Sequence, residues 1–116
     1  GRIINVSSVN GSKGAFGQTN YAAAKAGMHG FTKALALEVA RKGVTVNALC
    51  PGWFPSEMTA GMDTDPGSAA FIAQNGPIPR MGEEHELDGA LLLLASSAGT
   101  FITGQSIIVD GGWTAR

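Results

Sequence analysis

The sequence is poor in cysteine and in charge, and it contains no long hydrophobic run. Its single cysteine, Cys50, rules out an internal disulfide and is typical of a reducing, cytoplasmic setting. Charged residues make up only 15% of the chain and its net charge is -1, which gives no sign of a surface for nucleic acid. The longest aliphatic run, residues 90–95, is much shorter than the roughly 20 residues that a membrane-spanning helix needs. We therefore expect a cytoplasmic protein with no nucleic-acid partner and no membrane segment.

The chain also lacks the features of a protein start. It opens on Gly1-Arg2-Ile3-Ile4, with no initiator methionine and no charged leader before an apolar stretch. We therefore expect it to begin within a longer protein. Its 116 residues allow one domain at most, and its 17 glycines, which have no fixed period, exclude a simple helical bundle and a collagen-like chain.

Two hydrophobic patterns alternate along the chain. Short β-branched runs at 3–7, 44–49 and 106–109 predict three strands, whereas residues 19–42 and 83–94 have the spacing of helices. The order of strand, helix, strand, helix and strand predicts an α/β fold built on a parallel sheet.

A long irregular segment, residues 53–82, separates the second strand from the second helix. It carries four prolines and predicts a loop with one or two short helices, one of them around 68–74. Its apolar side chains, from Met58 to Ile72, suit a lid over a substrate and ordinary packing of an irregular segment about equally.

Tyr21 and Lys25 are the most informative pair of side chains. They are four residues apart in the first predicted helix and therefore share one of its faces. A free tyrosine, with a pKa near ~10, is a poor acid or base at neutral pH, but a nearby ammonium lowers that pKa. The pair can therefore act as a general acid/base, and Ser8, after the first strand, could hydrogen-bond a substrate oxygen. Alone, the spacing is a weak signal, because a core aromatic beside a solvated lysine produces it as well.

The histidines and the cysteine carry weaker signals. His29 is four residues after Lys25, which permits a relay role, although a buried or interface histidine is the favoured interpretation. His85 lies in an acidic helix start and is expected to be solvated, and Cys50 is expected to be a small buried residue. Neither histidine has a companion at the spacing of metal ligands, so we predict no metal site.

The surroundings of Tyr21 and Lys25 resemble a known family. Residues 5–8 and 20–27 are similar to the active-site segment of short-chain dehydrogenases/reductases. Further similar segments follow in the family's order, so that the resemblance covers essentially the whole chain: 44–47, 50–52, 103–105 and 109–112. Within that family, residues 8–21 look most like acetoacetyl-CoA reductases, which group with 3-oxoacyl-carrier-protein reductases.

The resemblance implies a fold and a reaction. The fold is a doubly wound, Rossmann-type α/β domain, of which residues 1–116 would be the carboxyl-terminal half without the phosphate-binding half. The reaction is hydride transfer between a nicotinamide cofactor and a carbonyl or secondary alcohol, here expected to be a 3-oxoacyl thioester. In the family's pattern Ser8 would hold the substrate oxygen, Tyr21 would move its proton, and Lys25 would assist Tyr21 and bind the nicotinamide ribose. Such enzymes imply a homo-oligomer, a dimer or a tetramer.

The resemblance also assigns a cofactor segment after the second strand. The positions on this segment that would contact the nicotinamide half of the cofactor are Pro51, Gly52, Phe54 and Ser56, and Tyr21 and Lys25 would bind the cofactor as well. Ser56 stands where the family usually has threonine, and it keeps the hydroxyl. We expect NADP as the cofactor. NAD is not excluded, because the family's residue that distinguishes the two cofactors is absent from the chain.

Other parts of the family's pattern are absent too. Its catalytic asparagine and its glycine-rich phosphate turn have no counterpart here, so the isolated chain is expected to be inactive. The glycines between residues 11 and 17 are spaced G-x-x-G-x-x-G rather than G-x-G-x-x-G, which favours a substrate-side loop with Gln18 as a substrate contact. On its own the first strand would be an open edge, so a marginal or oligomeric fragment is expected. Alternatives are a secondary-alcohol or sugar-alcohol dehydrogenase of the same family, a sugar-nucleotide epimerase, which the short ending disfavours, or an inactive fragment.

Overall fold

Three parallel strands form the centre of the computed structural model, which describes residues 1–115. The strands are β1 (Arg2–Val6), β2 (Thr45–Pro51) and β3 (Ser106–Val109), and they pair in the order β1-β2-β3. All residues of β2 except Pro51 are buried, as expected for a central strand with a neighbour on each side. The predicted α/β fold with a parallel sheet is therefore confirmed.

Helix α1 (Thr19–Val39) connects β1 to β2. The sequence predicted a helix over 19–42, but its last turn, Ala40–Lys42, is a 3-10 turn. It ends at Gly43, whose φ of 74° lies in the left-handed region that suits glycine. Tightening of the last turn gives the final carbonyl groups of a helix hydrogen-bond partners, which explains the change of geometry.

Helix α2 (Pro66–Asn75) lies inside the long loop predicted for 53–82, and it extends the short helix predicted around 68–74 at both ends. Asp65 caps its start, because its carboxylate accepts hydrogen bonds at 2.8 Å from the amide and from the hydroxyl of Ser68. This cap, with a proline in the first turn, determines where the helix begins.

Helix α3 (Asp88–Ala95) begins later than the helix predicted over 83–94. Residues Glu84–Leu87 form a 3-10 turn in its place. The carboxylate of Glu86 turns back to accept the amide of Glu83 at 2.9 Å, completing a capping box. The acidic start was therefore recognised from the sequence, but the tighter geometry of its first turn was not.

Helices cover both faces of the sheet. Adjacent strand residues point to opposite faces, so Asn5 and Arg2 of β1 face opposite sides. Asn5 Nδ2 donates to the hydroxyl of Thr32 in α1 at 3.0 Å, and Thr32 is buried. Arg2 Nη2 donates to the carbonyl of Ser96 at the end of α3, at 3.3 Å, beside the fully buried Leu94. The core therefore lies between α1, β2 and α3.

The outer edge of β1 is open among residues 1–115. β1 pairs only with β2, and the exposed fractions of Ile3 and Val6 are 37% and 55%. The sequence predicted this open edge. Unpaired amide and carbonyl groups along such an edge are available to another strand, so the marginal stability of the isolated chain stays a prediction.

Candidate functional site

The carboxyl ends of the three strands meet at one edge of the sheet, as parallel pairing requires. Ser8 follows β1, Pro51 and Gly52 end β2, and Asp110 follows β3. Gly52 donates its amide to the carbonyl of Val109 at 2.9 Å. A Cβ atom added at Gly52 would lie 2.8 Å from the Cβ atom of Asp110, so only glycine allows this approach. The predicted cofactor segment therefore begins, at Gly52, in direct contact with the end of β3.

The loop that carries Ser8 is packed against helix α1. Ser8 caps a short 3-10 turn, in which its Oγ atom accepts the amide of Asn10 at 3.2 Å. Gly11, at the end of that turn, touches the helix backbone directly. A Cβ atom there would lie 2.8 Å from the carbonyl carbon of Lys25 and 3.0 Å from the amide nitrogen of Ala26. The glycine thus lets the Ser8 loop rest on the turn of α1 that holds Lys25.

Lys25 lies between the end of β1 and the ring of Tyr21. Its Nζ atom donates to the carbonyl of Val6 at 3.4 Å and is 5.6 Å from the centroid of the Tyr21 ring. That separation is within the range of a cation–π contact. The hydroxyl of Ser7 also donates to the main-chain carbonyl of Lys25, at 2.9 Å. The Tyr21 and Lys25 side chains are both half-buried. Their contact brings the predicted pair together at the edge of the sheet where Ser8 lies.

His29, one turn beyond Lys25, contacts β2, β3 and Ser7, the residue that follows β1. Its Nε2 atom lies 3.1 Å from the Ser7 hydroxyl and 3.6 Å from the Cys50 sulfur, and its Nδ1 atom lies 3.0 Å from the Ser106 hydroxyl. The sequence favoured a buried or interface histidine at this position. The structure shows a half-buried ring. Burial raises the pKa of the Cys50 thiol and outweighs the opposite, smaller effect of the neighbouring Ser7 and Ser106 hydroxyls, so the thiol stays protonated.

Phe54 and Ser56 are held by a local network after β2. The Phe54 ring lies directly on Gly82, where there is no room for a side chain. Thr59 donates its hydroxyl to the carbonyl of Phe54 at 2.7 Å and accepts the amide of Ser56 at 2.9 Å. Thr59, which the sequence analysis did not single out, therefore shapes the segment in which Ser56 is exposed.

A cleft of about 280 Å³ lies beside the Ser8 loop. Asn10 and Gln18 line the cleft from one side, and the side-chain amide of Asn10 donates to the side-chain oxygen of Gln18. Aromatic rings line the other side: Trp113 is 5.7 Å from Trp53 and 5.6 Å from Phe71 between ring centroids. The structure thus places Gln18 in a cleft, and it adds both tryptophans and Asn10, which no sequence pattern indicated. The only sequence signal for Trp113 was its place directly after a Gly-Gly turn.

Asp110 holds the turn that carries Trp113. Its carboxylate accepts the amide of Gly112 at 2.9 Å and both the amide and the hydroxyl of Thr114, at 2.8 and 2.7 Å. Partial burial raises the pKa of Asp110, but the hydrogen bonds from Thr114 and Gly112 outweigh that effect and lower it overall. The carboxylate therefore stays ionised at neutral pH, and the turn keeps Trp113 in the wall of the cleft.

Over residues 1–115, no group of three or more His, Cys, Asp or Glu side chains is arranged to hold a metal ion. In the same part of the chain, no helix has both the length and the hydropathy needed to cross a membrane.

A family model described as enoyl-(acyl carrier protein) reductase matches residues 1–114. The chain belongs to this family, within the short-chain dehydrogenases/reductases that its sequence resembles. The parallel sheet and the Tyr-x-x-x-Lys pair at its carboxyl edge agree with that membership.

Two relatives share about half of their matched residues with the chain. An acetoacetyl-CoA reductase from Allochromatium vinosum is 50% identical over 112 residues, and a 3-oxoacyl-[acyl-carrier-protein] reductase from Vibrio harveyi is 49% identical over 112 residues. In both comparisons the match covers 97% of this chain and 45% of the relative. The chain therefore spans about half the length of the curated relatives it matches.

The structure is similar to that of a gluconate 5-dehydrogenase from Burkholderia cenocepacia, crystallised with NADP and tartrate. The two superpose with a TM-score of 0.94 at 35% sequence identity, over 100% of this chain and 46% of the dehydrogenase. The doubly wound fold expected from the resemblance is thus confirmed for the part that the chain covers.

Proposed function

We propose that the chain is the catalytic half of an NADP-dependent oxidoreductase that interconverts 3-oxoacyl and 3-hydroxyacyl thioesters. The position of the Lys25 ammonium carries this proposal: it lies 3.4 Å from the Val6 carbonyl and 5.6 Å from the Tyr21 ring centroid, beside the Ser8 loop. A cation over the Tyr21 ring, beside the Ser8 loop, supports Tyr21 as the general acid/base. The similarity to acetoacetyl-CoA and 3-oxoacyl-carrier-protein reductases supports the substrate class.

Each side chain has a separate task in this proposal. The Ser8 Oγ atom already accepts a hydrogen bond from Asn10, so its own hydrogen is available to a substrate carbonyl oxygen. In the reducing direction the Tyr21 hydroxyl gives its proton to that oxygen, which becomes the product hydroxyl. In the oxidising direction the phenolate takes the proton back. The Lys25 ammonium stabilises the phenolate in both directions.

The donors at the site fit the nicotinamide half of a cofactor. When bound, that group supplies or takes up the hydride. An ammonium has three N–H donors, and Lys25 uses one toward Val6, so the others can bind ribose hydroxyls. We propose that Pro51, Gly52, Phe54 and Ser56 line the nicotinamide, because they leave β2 at the same edge.

The adenosine half of the cofactor would bind outside this chain. Gly11 packs on the backbone of α1, which supports a substrate-side role for its loop rather than phosphate binding. NADP is proposed over NAD because of the similarity to a dehydrogenase crystallised with NADP. Comparing NADPH with NADH at equal concentrations decides between them, and a higher kcat/KM with NADH would overturn the choice.

A direct activity assay tests the function. The complete enzyme is this chain joined to the amino-terminal half, taken from the natural polypeptide or fused from the Allochromatium vinosum reductase. We expect it to oxidise NADPH when acetoacetyl-CoA is added, and we expect residues 1–116 alone to show no turnover. Absence of turnover by the natural complete enzyme with acyl thioesters of several lengths would overturn the proposed substrate class.

The likeness to gluconate 5-dehydrogenase supports a second candidate, a sugar-alcohol or other secondary-alcohol dehydrogenase. The same preparation should be assayed with gluconate and NADP in the oxidising direction. A kcat/KM for gluconate above that for the thioester would favour this alternative. The chemistry proposed for Tyr21 and Lys25 is the same in both cases.

Gln18 is proposed as a substrate contact because it lines the cleft beside the Ser8 loop. Replacing Gln18 by alanine removes one neutral hydrogen bond, so the KM for the acyl substrate should rise about 2- to 10-fold. Steady-state kinetics of the complete enzyme measure the change. Gln74→Ala is the matched control, since Gln74 is exposed and lies outside the lining of the cleft. An unchanged KM in Gln18→Ala would rule out the contact.

We propose that the complete enzyme is a homo-oligomer, a dimer or a tetramer, in the cytoplasm. Two large apolar side chains of α1 are solvent-exposed, with fractions of 57% for Phe31 and 84% for Leu37, which supports contact with another copy. A single buried cysteine suits a reducing compartment. A monomeric mass by light scattering would overturn the oligomer, and export of the natural protein from the cell would overturn the location.

A further inference from the structure

We propose that His29 is a positioning residue for this site. It holds the hydroxyl of Ser7 against the main chain of Lys25, and thereby fixes Tyr21 and Lys25 relative to the Ser8 loop. The kinetic consequences rest on the proposed function, whereas the hydrogen-bond pattern of the ring can be measured without it. His29 touches no reacting atom in this proposal, since it acts through Ser7.

The direction of the hydrogen bonds follows from the partner of Ser7. The Ser7 hydroxyl donates its only hydrogen to the Lys25 carbonyl at 2.9 Å, so toward His29 it can only accept. The Nε2 atom of His29, 3.1 Å away, must therefore carry a hydrogen. In the neutral ring Nδ1 is then an acceptor, and the Ser106 hydroxyl donates to it at 3.0 Å. The result is one directed chain of hydrogen bonds from β3 through His29 and Ser7 to α1.

Several contacts of α1 with the strand edge converge on Lys25. Its carbonyl receives the Ser7 hydroxyl, its ammonium reaches Val6 at 3.4 Å, and its backbone touches Gly11. The Ser7 contact depends on one hydroxyl rotamer, because a serine is free to turn its oxygen elsewhere. His29 supplies the second partner that selects this rotamer, and Ser7 itself is buried. Loss of the ring would therefore let α1 shift at the turn that carries Lys25.

Kinetics of the complete enzyme provide the first test. His29→Leu replaces the ring by an apolar side chain. In this variant kcat should fall about 10- to 100-fold, because misplacement of reacting groups by about 1 Å lowers the rate by about this factor. The KM values for the cofactor and the acyl substrate should both stay within about threefold of those of the unchanged enzyme. His29→Gln keeps an N–H donor for Ser7 and should stay within about threefold of the unchanged enzyme. Equal losses in the two variants, or no loss in His29→Leu, would overturn the proposal.

Thr32→Val is the matched control. It removes a hydrogen bond between the same strand and the same helix, Asn5 Nδ2 to Thr32 Oγ1 at 3.0 Å, one turn farther from Lys25. Thr32→Val should lower the melting temperature and leave kcat within about twofold of the unchanged enzyme. If it lowers kcat as much as His29→Leu does, the effect of His29 is general destabilisation and the proposal is wrong.

A double-mutant cycle tests whether His29 acts through Ser7. Ser7→Ala should lower kcat about as much as His29→Leu, and the double variant should be no worse than either single variant. Losses that multiply in the double variant would show that the two side chains act independently, which overturns the proposal.

Nitrogen-15 spectra of the imidazole give a readout that does not depend on turnover. In the neutral ring we expect hydrogen on Nε2 and a bare Nδ1, and a protonated Nδ1 beside a bare Nε2 would overturn the proposal. An enzyme that fails to turn over acyl thioesters but shows the expected ring pattern contradicts the proposed function and keeps the structural role of His29.

Discussion

Replacing Tyr21 by phenylalanine should lower kcat of the complete enzyme about 10²- to 10⁴-fold, while the dissociation constant for NADPH changes by less than about threefold. The reason is that the substitution removes only the hydroxyl that moves the proton, and general acid/base groups contribute rate factors of this size. The ring and its contact with the Lys25 ammonium, 5.6 Å from the centroid, remain. Steady-state assays and quenching or enhancement of NADPH fluorescence measure the two quantities.

The control for this result lies on the same helix. Ala23 is exposed and faces away from the Lys25 contact, so Ala23→Ser should leave both kcat and cofactor binding unchanged. If Tyr21→Phe retains kcat within about tenfold of the unchanged enzyme, Tyr21 is not the acid/base. If cofactor binding collapses as well, the Tyr21 hydroxyl also holds the cofactor.

Replacing Gly11 by alanine should damage stability and activity together. The new Cβ atom would lie 2.8 Å from the carbonyl carbon of Lys25 and 3.0 Å from the amide of Ala26, and both are backbone atoms that a rotamer change cannot move. Overpacking of this kind costs about 1–3 kcal/mol in the free energy of unfolding. The Ser8 loop must also move away from α1, so kcat should fall about 10- to 100-fold.

The same loop offers a matched control. Gly14→Ala adds the same methyl group where nothing lies within 4 Å of it, so stability and kcat should be unchanged within error. Urea unfolding and steady-state kinetics of the two variants give the comparison. Equal behaviour of Gly11→Ala and Gly14→Ala would show that the close approach at Gly11 does not position the Ser8 loop.

Local patterns account for most of the fold that was predicted. Three strands and α1 were recognised because their hydrophobic spacing is a local property, and Gly43 ends the 3-10 turn after α1 through its own backbone preference. Residues Glu84–Leu87, before α3, were predicted as α-helical and form a 3-10 turn, because their geometry depends on how the Glu86 carboxylate turns back to the Glu83 amide. Spacing alone carries no information about that choice.

Some residues of the candidate site could be grouped from the sequence, and others only from the tertiary structure. Tyr21 and Lys25 could be paired from the sequence because a helix brings residues four apart onto one face. His29 was placed on that face too, but its partner Ser106 is 77 residues away and no spacing rule links them. The contact between Trp53 and Trp113 likewise joins the ends of two different strands.

The sequence by itself therefore determined the alternation of strands and helices, the Tyr-x-x-x-Lys pair and the membership of the short-chain dehydrogenases/reductases. Only the tertiary structure decided that Gly11 seats the Ser8 loop on Lys25, that His29 links Ser7 to Ser106 of β3, and that Trp113 lines the cleft beside Gln18. The physical reason is that spacing within an element is set by its own backbone geometry. Contacts between elements depend instead on strand register and on close backbone approach, which are properties of the folded chain.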